Sequence, residues 1–116
     1  MDILKTFQDS GALLKGHFLL SSGLHSSQYL QCTRVLENPQ IAEALCQVLA
    51  CDFKNDNVSA VVGPAMGGII LAYELARALS ARAIFTERES GKMSLRREFS
   101  LLAQDCYLLG RGYYSV

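Results

Sequence analysis

The loop Gly63-Pro64-Ala65-Met66-Gly67-Gly68 lies between a short apolar run and a predicted helix. Glycines let a backbone approach a ligand closely, and the first turn of a helix offers free N–H groups and the positive end of the helix dipole. The loop therefore predicts an anion site suited to a phosphate or pyrophosphate. It is not a Walker A loop, because the Gly-Lys-Ser/Thr ending is absent, and it is not a G-x-G-x-x-G loop. A tight turn that binds no ligand remains an alternative.

A second candidate is a basic cluster in the charged segment 87–98. Its cations are Arg88, Lys92, Arg96 and Arg97. Cations on a mobile loop can close over a phosphate-rich substrate and exclude water. Acidic residues at positions 87, 89 and 98 are interleaved with them, so a solvated surface loop that pairs with itself is the alternative.

Two histidines, His17 and His25, lie in a predicted hairpin region. Neither has a sequence partner that indicates a catalytic triad or a metal site. We expect His17 to pack or to make a surface hydrogen bond. His25 could face a site from its turn.

The four cysteines include no C-x-x-C pair, and no histidine lies at metal-ligand spacing from them. We expect reduced thiols in or near a core, with a structural zinc or a disulfide framework as the alternatives. The cysteines are Cys32, Cys46, Cys51 and Cys106.

Composition narrows the class of protein. The chain has 116 residues, half of them hydrophobic, which predicts one small domain with a core. The formal net charge is zero, which argues against a nucleic-acid partner and mildly favours self-association. No apolar run approaches the roughly 20 residues that span a bilayer, and the first residues lack the pattern of a signal peptide. We therefore expect a cytoplasmic protein with no membrane partner.

The elements that must position these residues begin with a helix predicted over 2–14. Asp2 can cap this helix, and Gly11 weakens its later part, so an end near Gly11 is the alternative. Short strands are predicted at 18–21 and 28–32, joined by the Ser- and Gly-rich turn 22–27 into a hairpin.

Further along the chain, Asn38-Pro39 predicts the start of an amphipathic helix, because Asn caps well and Pro is favoured at the first helical position. The apolar run 60–62 predicts a strand that is buried on both faces. A helix over 69–79 and a strand over 83–86 complete a right-handed βαβ unit. The predicted fold class is α/β, and the segment 87–98 then follows the carboxyl end of a strand, where ligands bind in open α/β sheets.

Three of these segments resemble orotate phosphoribosyltransferases of the bacterial, type I phosphoribosyltransferase family. Residues 16–32 resemble the family's hairpin, 61–69 its pyrophosphate loop, and 83–93 its next strand and flexible loop. The resemblance runs from about residue 1 to about residue 101. It implies a partial type I fold, with a parallel-sheet βαβ core, an N-terminal helix and hairpin, and missing C-terminal strands.

The resemblance also implies a chemistry. The family transfers ribose 5-phosphate from 5-phosphoribosyl 1-diphosphate to orotate, giving orotidine 5′-phosphate and pyrophosphate in pyrimidine synthesis, with Mg²⁺ on the diphosphate. Lys92, the expected catalytic residue, and Arg88 match basic positions of a loop that closes over the diphosphate and reaches into the neighbouring subunit of a homodimer. The loop 63–68 matches the family's pyrophosphate cradle, which often contains a cis peptide bond. Ala65–Met66 is the candidate position.

The sequence departs from the family in two places. Ser21 stands where many members have a donor-binding lysine, and we expect its hydroxyl to contact the substrate more weakly. The segment 102–116 does not match, and it lacks the acidic pair and Thr-Thr-Gly turn that hold the ribose phosphate. Codons for Gly110-Arg111-Gly112, read one nucleotide later, can encode Val-Glu-Asp, which is how that signature begins. A frameshift product is therefore the hypothesis for this tail.

Loss of that signature predicts weak or absent catalysis by the chain. A phosphoribosyl-binding regulator of gene expression is an alternative, although the neutral charge argues against it. A catalytically inactive fragment is another.

Overall fold

A computed structural model describes residues 1–20, 22–102 and 105–109, which divide into two compact units. Among these residues, the first unit is Met1–Ala42 and the second begins at Glu43. The predicted α/β class is confirmed, since helices and strands alternate along the chain.

The first unit opens with helix α1, Ile3–Asp9. Its predicted cap is confirmed, because the Asp2 side chain accepts a hydrogen bond from the backbone N–H of Lys5 at 3.1 Å. The predicted extension to residue 14 is wrong. Gly11 has a φ of 75°, which takes the backbone out of the helical region, and a strand begins two residues later.

The predicted hairpin is present, with longer strands. Strand β1, Leu13–Leu19, pairs antiparallel with strand β2, His25–Leu30. The strand predicted over 28–32 ends at residue 30. Cys32 instead begins a short helix, α2, Cys32–Leu36, which the sequence pattern did not predict.

Helix α3, Pro39–Ala50, begins where predicted. The Asn38 side-chain oxygen accepts hydrogen bonds from the N–H groups of Gln40 and Ile41 at 3.0 and 3.4 Å. These are donors of the first turn that have no partner inside the helix.

The second unit contains a four-stranded sheet in the order β5-β4-β3-β6. Strand β3, Ala60–Pro64, is buried at all five positions, as an apolar run without alternation predicts. It pairs in parallel with strand β4, Arg82–Glu89. Helix α4, Ile69–Leu79, connects the two strands, so the predicted βαβ unit is confirmed. Strand β5, Lys92–Leu95, pairs antiparallel with β4.

The core of the second unit lies among α3, β3 and α4. Small side chains dominate it, which allows these elements to pack closely. Its buried members are Cys46, Ala50, Val58, Val61, Ala72, Leu75 and Ala76.

Strand β6, Tyr107–Leu109, lies within the tail that does not match the family pattern. It pairs in parallel with β3 over Ala60–Val62. The sequence pattern predicts no helix or strand here. Residues 103, 104 and 110–116 lie outside the described part of the chain, so the frameshift hypothesis stays a prediction.

Candidate functional site

The glycine loop follows β3 directly and leads into α4. It is tied at both ends by backbone hydrogen bonds: Gly68 N–H donates to Pro64 O at 2.9 Å, and Ala65 N–H donates to Thr86 O at 2.7 Å. The second bond connects the loop to β4. The predicted βα loop is therefore a short, fixed turn held against the neighbouring strand.

The three glycines of this loop differ in their surroundings. A Cβ on Gly63 would lie 2.4 Å from Gly68 O and 2.7 Å from Ala72 Cβ, and a Cβ on Gly68 would lie 2.4 Å from Pro64 Cδ. Packing within the chain therefore requires glycine at both positions. A Cβ on Gly67 would meet nothing within 4 Å. Glycine at this position leaves open space beside the backbone, as a bound ligand would require.

The N-terminus of α4 has no side-chain cap, and of its first N–H groups that of Ile69 donates to Met66 O at 3.2 Å. Gly68 occupies the N-cap position and has no side chain with which to cap the helix. Met66 precedes it with 83% of its surface exposed. The first N–H groups of a helix attract anions, and the dipole of an 11-residue helix adds to that attraction. The peptide bond between Ala65 and Met66 is cis, at the position that the resemblance indicated.

The charged segment 87–98 is not a loop throughout. Strand β4 extends to Glu89, a turn follows at Ser90 and Gly91 with φ values of 52° and 79°, and β5 returns along β4. We call Thr86–Leu95 the flap hairpin. The sequence predicts a mobile loop here and not these strands, because the charged residues hide the alternation that is typical of a strand.

The structure separates the four cations of the cluster. Arg97 forms an ion pair with Glu87 at 2.8 Å, and Arg96 forms one with Glu89 at 3.6 Å. The hydrogen bond from Arg97 lowers the pKa of Glu87, with smaller contributions from the charges of Arg97 and Arg96 against a desolvation effect that raises it. For these two arginines the alternative of a self-paired segment is correct.

Arg88 and Lys92, the two cations matched to the family's loop, lie on the flap hairpin itself. Both side chains are exposed. Lys92 is the first residue of β5 and pairs across the hairpin with Glu89. Arg88 Nη1 donates to Gly91 O at 3.4 Å. These two cations are therefore near the turn at the end of the flap hairpin.

The loop and the flap hairpin begin side by side. Pro64 and Thr86 are register partners in the parallel strands β3 and β4, so both segments begin at the carboxyl end of β3. This is the end at which open α/β sheets bind ligands. The structure thus brings two of the predicted site segments together. Ser21, the third predicted contact, lies outside the described residues.

The two histidines contact each other, which the sequence analysis missed. Nε2 of His17 and Nδ1 of His25 are 2.6 Å apart across the β1–β2 hairpin. The surface hydrogen bond expected for His17 is therefore present, but the sequence indicated no partner for either histidine, because the register of the hairpin sets this contact. The predicted hairpin was the one signal that could have indicated it.

All four cysteines are free thiols, as predicted, but the predicted placement in or near a core is right only for Cys46, which is buried. The other three, Cys32, Cys51 and Cys106, are exposed, so their placement in or near a core is wrong. Burial raises the pKa of the Cys46 thiol to about 11, with a smaller contribution from the negative charge of Glu74.

No group of three or more His, Cys, Asp or Glu side chains lies together among the described residues in a way that could hold a metal ion. No helix in that part of the chain is long and apolar enough to cross a membrane.

Comparisons with known proteins give the family likeness. No protein-family model matches the chain. The orotate phosphoribosyltransferase of Desulforamulus reducens is 57% identical over 100 residues, which are 86% of this chain and 52% of that protein. The chain is homologous to orotate phosphoribosyltransferases. The enzyme of that name from Carboxydothermus hydrogenoformans is 54% identical over 107 residues, 90% of this chain and 56% of that protein.

Solved structures agree with the sequence comparison. The orotate phosphoribosyltransferase of Aeropyrum pernix superposes with a TM-score of 0.58 at 30% identity, covering 77% of this chain and 53% of that one. The resemblance and the partial type I phosphoribosyltransferase fold predicted from the sequence are confirmed. The chain spans about half the length of the curated relatives that it matches.

Proposed function

We propose that this chain provides the diphosphate-binding part of an orotate phosphoribosyltransferase. The reaction transfers ribose 5-phosphate from 5-phosphoribosyl 1-diphosphate to a ring nitrogen of orotate, and releases pyrophosphate. The observation that supports this most directly is the Gly63–Gly68 loop, which leads from a buried strand to a helix N-terminus without a side-chain cap and leaves space at Gly67.

The chemistry suits this arrangement. Positive charge develops on the ribose carbon while negative charge accumulates on the departing pyrophosphate. Such a reaction needs positioning and electrostatic stabilisation more than a strong base. The loop would hold pyrophosphate oxygens with backbone N–H groups, and Lys92 and Arg88 would neutralise charge as the flap hairpin closes over the diphosphate. Ser21 is proposed as a weaker contact to the donor.

Mg²⁺ belongs to this proposal as an ion carried on the diphosphate. When bound, it neutralises diphosphate charge and orients the leaving group. Mg²⁺ keeps several waters and binds readily through substrate phosphates. That behaviour fits a chain whose described residues contain no cluster of three or more potential ligands.

The functional form is proposed to be a homodimer, in which the flap hairpin of one subunit reaches the site of the other. A net charge of zero offers little repulsion against self-association. Helix α4 also exposes apolar surface, including Ile70 at 52% and Tyr73 at 58%. Sedimentation velocity of the chain across a concentration series tests this, and a monomer at all concentrations would contradict it.

Calorimetric titration of the chain with inorganic pyrophosphate and Mg²⁺ tests the diphosphate site. Lys92→Ala should weaken binding by about tenfold, the loss expected for one hydrogen bond to a charged group. Lys54→Ala is the matched control, since Lys54 is also an exposed lysine but lies in the turn 51–57. Equal weakening by the two variants, or no binding by a chain with a folded circular dichroism spectrum, would contradict the proposal.

The substrate is tested separately by incubating the chain with donor, Mg²⁺ and either orotate or adenine. Formation of orotidine 5′-phosphate in preference to the adenine product supports the proposal, at a turnover that we expect to be low. Preference for adenine would assign the chain to another phosphoribosyl transfer.

A further inference from the structure

His17 and His25 bring two imidazole rings together on the β1–β2 hairpin. Nε2 of His17 lies 2.6 Å from Nδ1 of His25, and the ring centroids are 4.7 Å apart with planes inclined by 60°. Both side chains are exposed. In this geometry one ring donates an N–H hydrogen bond and the other ring accepts it, so a single proton lies between the two nitrogens.

The register of the hairpin explains the contact. Leu19 is the direct partner of His25, and Phe18 is the partner of Ser26. Between the paired positions Lys15 and Phe18 the register shifts, so that two residues of β1 lie opposite one residue of β2. His17 is at this bulge, and bulges redirect side chains. As a diagonal neighbour of His25, it is within reach for a long side chain.

We propose that His17 Nε2 and His25 Nδ1 together chelate a late first-row divalent ion: Zn²⁺, Ni²⁺ or Cu²⁺. Imidazole is a preferred ligand of these ions. Zinc–nitrogen bonds are about 2.0–2.1 Å long, so two nitrogens on one tetrahedral ion lie about 3.3 Å apart. The observed separation needs to widen by less than about 1 Å for an ion to replace the shared proton. Small rotations of two exposed side chains provide this.

The remaining positions around the ion are filled by water. No third potential ligand completes a group with these histidines among the described residues. The site therefore differs from a structural zinc site, which has four protein ligands. Mg²⁺ is a poor occupant, because it prefers oxygen ligands. A bound ion would cross-link β1 to β2 and stabilise the first unit's hairpin, and this does not depend on transferase activity.

Nickel titration of the untagged 116-residue chain tests the chelate. The exposed thiols must first be removed, in a background carrying Cys32→Ser, Cys51→Ser and Cys106→Ser. His17→Gln, His25→Gln and the double variant are then compared, with Ser27→Ala, opposite the bulge, as the control. Loss of even an outer-shell partner weakens metal sites by about 10–100-fold. Either single variant should therefore bind at least about tenfold more weakly, nearly as weakly as the double variant.

Two independent histidines would behave differently. Each single variant would then keep half of the wild-type capacity at unchanged affinity, and that result would overturn the proposal. Wild-type binding no tighter than that of the double variant would also overturn it.

A measurement on the chain with both histidines intact covers the case in which a variant fails to fold. Substoichiometric Ni²⁺ should broaden the imidazole NMR signals of His17 and His25 to the same extent. Broadening of one ring without the other would overturn the proposal.

Discussion

Arg97 binds Glu87 through two hydrogen bonds, with Nε and Nη2 donating to the two carboxylate oxygens at 2.8 and 3.0 Å. The guanidinium also lies 6.0 Å from the ring centroid of Phe85, which packs edge-to-face against Phe99. These contacts bring the chain after β5 back onto β4. Arg97 therefore acts at the base of the flap hairpin, while Arg88 and Lys92 lie near its turn.

We predict that Arg97→Ala raises the pKa of Glu87 toward its ordinary value. The pKa of Glu87 is lowered in the folded chain, chiefly by the hydrogen bond from Arg97. The stabilisation from this pair is thus present above the ordinary pKa of a glutamate and is lost as the pH falls through the lowered value. An NMR titration of the Glu87 carboxyl carbon measures this pKa in the wild-type chain and in the variant. Arg77→Ala, which removes a different surface ion pair, should leave Glu87 unchanged.

We predict that adding a Cβ to the glycine loop destabilises the chain at Gly63 and not at Gly67, which serves as the control. Gly63→Ala places a Cβ 2.4 Å from the backbone oxygen of Gly68, and overpacking of this kind costs about 1–3 kcal/mol. Gly67→Ala meets open space and should change the free energy of unfolding by no more than about 0.5 kcal/mol. Urea denaturation of the two variants measures the difference. Equal destabilisation would show that the loop is packed differently.

Much of the second unit could be predicted from sequence because its signals are local. The apolar run at 60–62 indicates a buried strand, and the periodic apolar residues of 69–79 give the bounds of α4 as the structure has them. The Asn38 cap is also a local signal. The position of the glycine loop followed from these elements and needed no knowledge of distant contacts.

Other features depend on contacts between residues that are far apart in the sequence. The strand β5 is hidden by charges, and its pairing with β4 becomes evident only in the sheet. β6 depends on β3 as a partner. The ion pairs of Arg96 and Arg97 with residues of β4, and the contact between His17 and His25, both depend on how hairpin strands pair. The periodicity of one strand does not by itself fix its register, because turn geometry and bulges also set how two strands pair.

We predict that Asp105 stabilises the pairing of β6 with β3. Its carboxylate accepts hydrogen bonds from the N–H of Leu102 at 2.7 Å, the Ser59 hydroxyl at 3.0 Å and Arg82 Nη2 at 2.9 Å. Asp105→Asn should weaken the bond to Arg82 and speed amide hydrogen exchange in residues 107–109. Asp52→Asn, at an exposed turn position, is the control and should leave that exchange unchanged.

The same carboxylate gives a pH prediction. The pKa of Asp105 is lowered, first by the hydrogen bond from the Leu102 N–H and then by that from Ser59, with a smaller contribution from Arg82. Its contribution to stability is therefore present above the ordinary aspartate pKa of about 3.9 and is lost as the pH falls through the lowered pKa of the folded chain. Hydrogen exchange in β6 should accelerate relative to the rest of the sheet over this acidic range. Uniform acceleration across all four strands would contradict a local role.

Thiol labelling should divide the cysteines into two classes. The thiolate is the reactive species, and burial both raises the pKa of Cys46 to about 11 and blocks access to its sulfur. Cys32, Cys51 and Cys106 are exposed. Iodoacetamide should therefore modify these three in the folded chain and reach Cys46 only after denaturation. Mass spectrometry of labelled peptides measures the order, and Cys46→Ser should remove only the slow phase. Rapid labelling of Cys46 in the native chain would show that the packing of α3 against α4 opens readily.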